Sequence, residues 1–165
     1  MLGVNVHWLN IFFDFCIVYS KLDRLENTTM EKILIVEDND INFMVLEEIL
    51  SDYELILCRA ADGREFYEII KETTNFDVVL MDLMLPDTDG IELSKYLINN
   101  NIKIPIVFIS AYTERCEEIY ELGIEYFISK PIYKDLFFSI LGKFVELKGK
   151  DDMNVISNTQ TPSAS

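Results

Sequence analysis

Five side chains stand where short apolar runs give out. Glu37 and Asp38 close "KILIVED", Asp82 closes "FDVVLMD", Ser110 closes "IPIVFIS", and Lys130 follows "EYFIS". Brought to one place, the three carboxylates would repel, since two unit charges about 4 Å apart interact by roughly 4 kcal/mol at an effective dielectric near 20. A cation relieves that repulsion, and an all-oxygen site of a few carboxylates and waters suits magnesium. An incoming phosphoryl group would then meet the cation and the Lys130 ammonium, with the Ser110 hydroxyl as a hydrogen-bond donor. Those parts serve phosphoryl transfer, whose catalysis is mostly positioning and charge neutralisation. Asp82 is then the nucleophile, and the product is an acyl phosphate.

Each residue also has a plainer reading. Asp38 or Asp40 could be a helix N-cap, a position that favours Asp and Asn. Lys130 before Pro131 could be a solvated turn lysine, Ser110 an ordinary strand-end hydroxyl, and Phe127 simply core. None of these explains acids at the ends of both the first and the third apolar run.

The elements that must position these groups alternate along the chain. The runs "KILIVED", "ELILCRA", "FDVVLMD", "IPIVFIS" and "EYFIS" read as strands. Between and after them, "DINFMVLEEILSDY", "GREFYEIIKET", "GIELSKYLINNN", "TERCEEIYELG" and "YKDLFFSILGKFVELK" carry helical periodicity. In the first helix the apolar face is Ile41, Val45, Leu46, Ile49 and Leu50, and Gly123 is a candidate C-terminal cap for the fourth. Five strands alternating with five helices imply right-handed crossovers and an α/β fold: a flavodoxin-like, doubly wound, five-stranded parallel sheet. Such sheets bind ligands at the carboxyl ends of their strands, which is where the charged side chains gather. The second strand, ending in "RAADG", contributes no comparable group.

At 165 residues, half of them hydrophobic, the chain can build one sizeable core. A formal charge of −15 argues against contact with nucleic acid or an anionic membrane. Cys16, Cys58 and Cys116 form no metal-type pair and read as reduced thiols of a cytoplasmic protein. Residues 1–29 hold apolar pieces too short to span a bilayer and no signal-peptide pattern. Leu9, Phe12, Phe13, Cys16 and Ile17 would fit an amphipathic helix. The segment reads as an extension, dispensable or not normally translated, with Met30 as the start. The domain is expected over residues 30–147. Residues 148–165 are expected to form a disordered polar tail, too short for an output domain. The single histidine, His7, has no ligand partner nearby and no assigned role, so a phosphohistidine would have to come from another protein.

Lys32 to about Leu147 resembles the receiver domain of two-component response regulators. The resemblance rests on the acid pair of "LIVEDND" and on "LMDLMLPDTDG", with Pro86 and Gly90 four and eight residues after Asp82. It rests also on the hydroxyl and small residue of "ISA" and the lysine and proline of "ISKP". The form "VEDNxxN", Val36 to Asn42, is similar to receivers on or beside hybrid histidine kinases. The resemblance implies that Asp82 accepts phosphate from a histidine kinase or a histidine phosphotransfer protein. It implies that Glu37, Asp38, the Asp82 side chain and the Met84 backbone carbonyl hold Mg2+, directly or through water. Ser110 would move toward the phosphoryl group and Phe127 would rotate inward, although "EYF" leaves open whether Tyr126 or Phe127 is the ring that moves. The face of the fourth helix, fifth strand and fifth helix would then change its protein partner, with the acidic fourth helix and Phe137, Phe138 and Phe144 as candidate contacts. Met84 and Tyr112, two residues beyond Asp82 and Ser110, cannot orient a water, so phosphate loss should be slow.

Two alternatives belong to other classes. One is a receiver-like binding module that never takes phosphate. The other is a haloacid-dehalogenase-type phosphatase, because "DTDG", Asp87 to Gly90, superficially fits a D-x-D-G nucleophile loop. Here, however, Pro86 and a full turn separate it from the strand.

Overall fold

The computed structural model describes residues 30–149, so the expectations for residues 1–29 and for the tail after Gly149 lie outside the described residues. The strands are β1 (Glu31–Val36), β2 (Leu55–Ala60), β3 (Val78–Met81), β4 (Ile106–Ser110) and β5 (Tyr126–Ser129). They alternate with α1 (Asp40–Leu50), α2 (Gly63–Glu72), α3 (Gly90–Asn99), α4 (Cys116–Glu121) and α5 (Lys134–Leu141). All four pairings are parallel, in the order β2-β1-β3-β4-β5. This is the expected doubly wound (βα)5 arrangement, and the order reverses between β1 and β3.

The strands read as unbroken apolar runs because alternate side chains feed two different layers. Ile33, Ile35, Leu80, Val107 and Ile128 pack against Phe43, Leu46 and Leu50 of α1 and Phe137 and Leu141 of α5. Leu34, Val36, Met81 and Phe108 face Phe66 and Ile69 of α2, Ile91 and Leu97 of α3, and Ile119 of α4. Full burial of one such side chain contributes about 1.5–3 kcal/mol, so both layers hold the sheet that carries the site.

Several local expectations change. The buried face of α1 is Phe43, Leu46, Ile49 and Leu50, while Ile41 and Val45 point to solvent at 72% and 46% exposure. Apolar residues surround the first turns of this helix, so spacing alone allowed two faces and packing on the sheet selected one. The fourth helix is short, entered through a 3-10 turn at Thr113–Arg115. Gly123 does follow it in the left-handed region, at φ 77°. Helix α5 stops at Leu141 with Gly142 at its C-cap, several residues before the periodic pattern ends. Phe137 is fully buried, Phe138 packs on Tyr53, and Phe144 meets the Tyr126 ring edge-on at 5.1 Å, so these aromatics serve the core rather than an outer face. Cys116 is a free thiol, but Cys58, buried in β2, is disulfide-bonded, which corrects the expectation of reduced thiols throughout. A bridge depends on proximity in space, which linear spacing does not report.

The chain beyond α5 returns to the start of the sheet. The Glu54 amide donates to the Lys148 carbonyl at 3.0 Å, Tyr53 bridges Gly149, and the Glu146 amide approaches a Glu31 carboxylate oxygen at 3.5 Å. No helix among the described residues is long and apolar enough to cross a membrane.

Candidate functional site

Strand register brings the charged ends together. Val36 pairs with Met81, so the next residues, Glu37 and Asp82, leave adjacent strands side by side. Ser110 pairs with Ser129, which sets Lys130 beside the end of β4, its amide donating to the Ser110 carbonyl at 3.0 Å. The Lys130–Pro131 peptide is cis.

The β1–α1 turn is fixed by Asn39, which caps α1 by accepting from the Ile41 and Asn42 amides, each at 3.0 Å. The N-cap is therefore neither Asp38 nor Asp40, and Asp38 is left exposed at the rim. Glu37 is nearly inaccessible, at 2% exposure, and accepts from the Asn42 side-chain amide at 2.9 Å. Asp82 is also buried, and one of its carboxylate oxygens lies 3.4 Å from the Met84 amide.

Lys130 spans the two buried acids. Its Nζ donates to Glu37 Oε2 at 2.7 Å and to Asp82 Oδ2 at 2.5 Å. Burial alone would pull this ammonium's pKa down, but the hydrogen bonds and charges of Asp82 and Glu37 outweigh it and hold the pKa above the usual lysine value. The solvated-lysine reading is thereby excluded.

Glu37, Asp38 and Asp82 each offer a carboxylate oxygen, all within 4.8 Å of one another. One ammonium bridges two of the three carboxylates, and this hard, all-oxygen donor set fits a divalent cation. The Met84 side chain is half exposed, and Met84 forms an isolated bridge with Asp89.

Ser110 is fully buried, and its hydroxyl oxygen lies 3.5 Å from the Tyr112 amide. Phe127 packs into the layer of α2, α3 and α4, whereas Tyr126 joins the α5 layer against Phe144. The two neighbouring rings thus occupy opposite faces, and Phe127 is the one beside Phe108 in the α3–α4 layer.

Other contacts escaped the sequence. Arg59, at the end of β2, donates from Nε to the Glu37 carbonyl at 3.0 Å and from Nη2 to the Asp38 carbonyl at 2.9 Å. Its Nη1 pairs with Asp40 at 2.8 Å, and its guanidinium lies 4.7 Å from the Phe43 ring centroid. Strand β2 therefore does supply a charged group to the site, contrary to expectation. The signal available was an arginine one residue before a strand end. Asp87 accepts from the Gly63 and Arg64 amides at 2.8 and 3.1 Å, tying the loop after β3 to the start of α2. Asp89 caps α3 and pairs with Arg115 at 2.6 Å, while Arg115 also forks onto Glu118. Both aspartates of "DTDG" are thus committed to helix starts, away from a nucleophile's role.

Comparison with known proteins agrees with this geometry. The sequence profile of the response regulator receiver domain matches residues 33–141. The chain is 31% identical over 121 residues to the polar-differentiation response regulator DivK of Brucella anthropi, covering 70% of this chain and 96% of that protein. It is 34% identical over 135 residues to the osmosensing histidine protein kinase SLN1 of Saccharomyces cerevisiae, covering 74% of this chain but only 11% of the kinase. Among solved structures, the Vibrio cholerae chemotaxis protein CheY4 superposes with a TM-score of 0.63 at 25% identity, over 71% of this chain and all of that one. The Francisella response regulator 1452 receiver domain gives 0.63 at 28% identity, over 69% and 95%.

Proposed function

This chain belongs to the response regulator receiver domains of two-component signalling, and from that premise we propose that it is a phosphorelay switch whose phosphoacceptor is Asp82. The donor is a phosphohistidine on a histidine kinase or a histidine phosphotransfer protein. An Asp82 carboxylate oxygen attacks phosphorus, the P–N bond breaks, and the electron pair leaves with the imidazole. The chain thus catalyses only its own phosphorylation and later hydrolysis. Its donor is charged from ATP, so the exchange belongs in the cytoplasm.

The observation that carries this reading is the Lys130 ammonium held between Glu37 and Asp82 beside the exposed Asp38. Glu37, Asp38, Asp82 and the Met84 carbonyl would hold Mg2+, which supplies charge neutralisation for the phosphoryl oxygens. When Asp82 is phosphorylated, Lys130 can keep Glu37 and turn its remaining donors to the new oxygens. The Ser110 hydroxyl then donates to another, and Phe127 rotates into the space that Ser110 leaves. These shifts act on the α4–β5–α5 face, which presents Tyr120 and Leu136 to a protein partner. Moving a two-state switch from 1:99 to 99:1 takes about 5.5 kcal/mol of differential stabilisation.

Incubation with acetyl phosphate and Mg2+, followed by intact mass, tests the reading against an Asp82→Asn control. A Mg2+-dependent gain of one phosphoryl group, absent from the control, supports it. No gain in folded protein would leave a phosphate-independent binding module.

A further inference from the structure

We propose that Arg59 is a positioning residue for the acid pair and sets the divalent-cation affinity of the site; this rests on reading the rim as a cation and phosphoryl site. A guanidinium is a rigid planar fork, and here it grips two consecutive backbone carbonyls, those of Glu37 and Asp38, at 3.0 and 2.9 Å. Holding both carbonyls fixes the peptide plane between the two acids and the direction in which each side chain leaves the backbone. Asn39 fixes the same turn from its other side by capping α1, and Asn42 orients Glu37 Oε1. Between them, these groups leave the turn little freedom to adjust.

The remaining contacts suit that role. The Phe43 ring lies against the guanidinium at 4.7 Å and orients it. Asp40, at 2.8 Å from Nη1, balances its charge, so the clamp reaches the acids without adding a net positive charge that would oppose a cation. A lysine could offer a point charge but not the same two-carbonyl fork. Partners that orient ligands rather than bind the metal still matter, and losing one typically weakens metal binding by about 10-fold or more.

The test uses the full chain and reads Mg2+ binding directly. Calorimetric Mg2+ titrations of wild type, Arg59→Lys and Arg59→Met are paired with phosphorylation rates from acetyl phosphate across Mg2+ concentrations and with thermal unfolding in the absence of Mg2+. The expected result is about a 10-fold loss of Mg2+ affinity in both variants, with the rate at saturating Mg2+ little changed. Equal Mg2+ affinity in the variants, while wild type binds Mg2+ and is phosphorylated, would overturn the role of Arg59 alone. So would a saturating rate that falls in step with affinity, which would mark a general distortion of the fold. If Arg59→Met does not fold, Arg59→Lys decides on the same criteria. A wild-type chain that neither binds Mg2+ nor takes a phosphoryl group would overturn the functional reading, and the role of Arg59 with it.

Discussion

A β-carbon placed on Gly90 would lie 2.2 Å from the backbone carbonyl oxygen of Asp82. The two residues are eight apart in sequence, yet the loop after β3 closes so tightly that the Gly90 amide donates to the Leu83 carbonyl at 2.8 Å. The obstacle is backbone, which cannot swing aside as a side chain can. Gly90→Ala should therefore lower stability by about 1–3 kcal/mol, the usual cost of overpacking, measured by urea denaturation. It should also slow phosphorylation, because relief of the clash displaces the acceptor strand's end.

Removing Lys130 leaves buried acids facing each other. Breaking one partner out of a buried ion pair typically costs about 3–5 kcal/mol, and Lys130→Gln should approach that range without divalent cation. Added Mg2+ should raise the melting temperature of Lys130→Gln more than that of wild type, because binding to the folded state alone stabilises it. The variant should also accept phosphate poorly at saturating Mg2+. Equal Mg2+-induced shifts in the two proteins would contradict the cluster's electrostatics.

Met84 and Tyr112 are both about half exposed at the rim, and neither offers an acid or amide to orient a water. Once formed, the acyl phosphate should persist for minutes or longer in isolated protein. Met84→Asn, which introduces such an amide, should shorten that lifetime several-fold. Decay within seconds in wild type, followed by intact mass, would count against this account.

Burial pushes the Cys116 thiol pKa up, and the nearby Glu114 charge adds to the effect. The thiolate is the reactive form, so alkylation of Cys116 at neutral pH should be slower than that of an unperturbed cysteine. Its rate should rise steadily with pH and go on rising past about 8.5, where an unperturbed thiol begins to level off. Peptide-resolved iodoacetamide labelling between pH 7 and 10 reads this directly, and Glu114→Gln should move the profile toward lower pH.

The sheet was legible because its central strands β1, β3 and β4 are buried on both faces and, with the shorter β5, appear as continuous apolar runs that end abruptly in a polar group. Glu37, Asp82, Ser110 and Lys130 announced themselves at those ends. Arg59 did not, because its partners are main-chain carbonyls on the neighbouring strand's turn, and only the register that sets Val36 beside Ala60 brings them within reach. The triplet Asp38-Asn39-Asp40 offers three capable caps in a row, and composition could not choose among them. For α1, Ile41 and Val45 fit the same periodicity as the buried set, and the sheet's position decided between the faces. In α5 the apolar pattern outruns the helix because Phe144 and Val145 still pack inward after Gly142 ends it.

The contacts of Glu31 with Glu146 and of Tyr53 with Gly149 lie at the amino ends of the strands, the full depth of the sheet from Asp82. The described chain therefore starts and finishes at one floor of the sheet, while the acidic rim forms the opposite roof. Such a unit can be spliced into a larger architecture like a cassette.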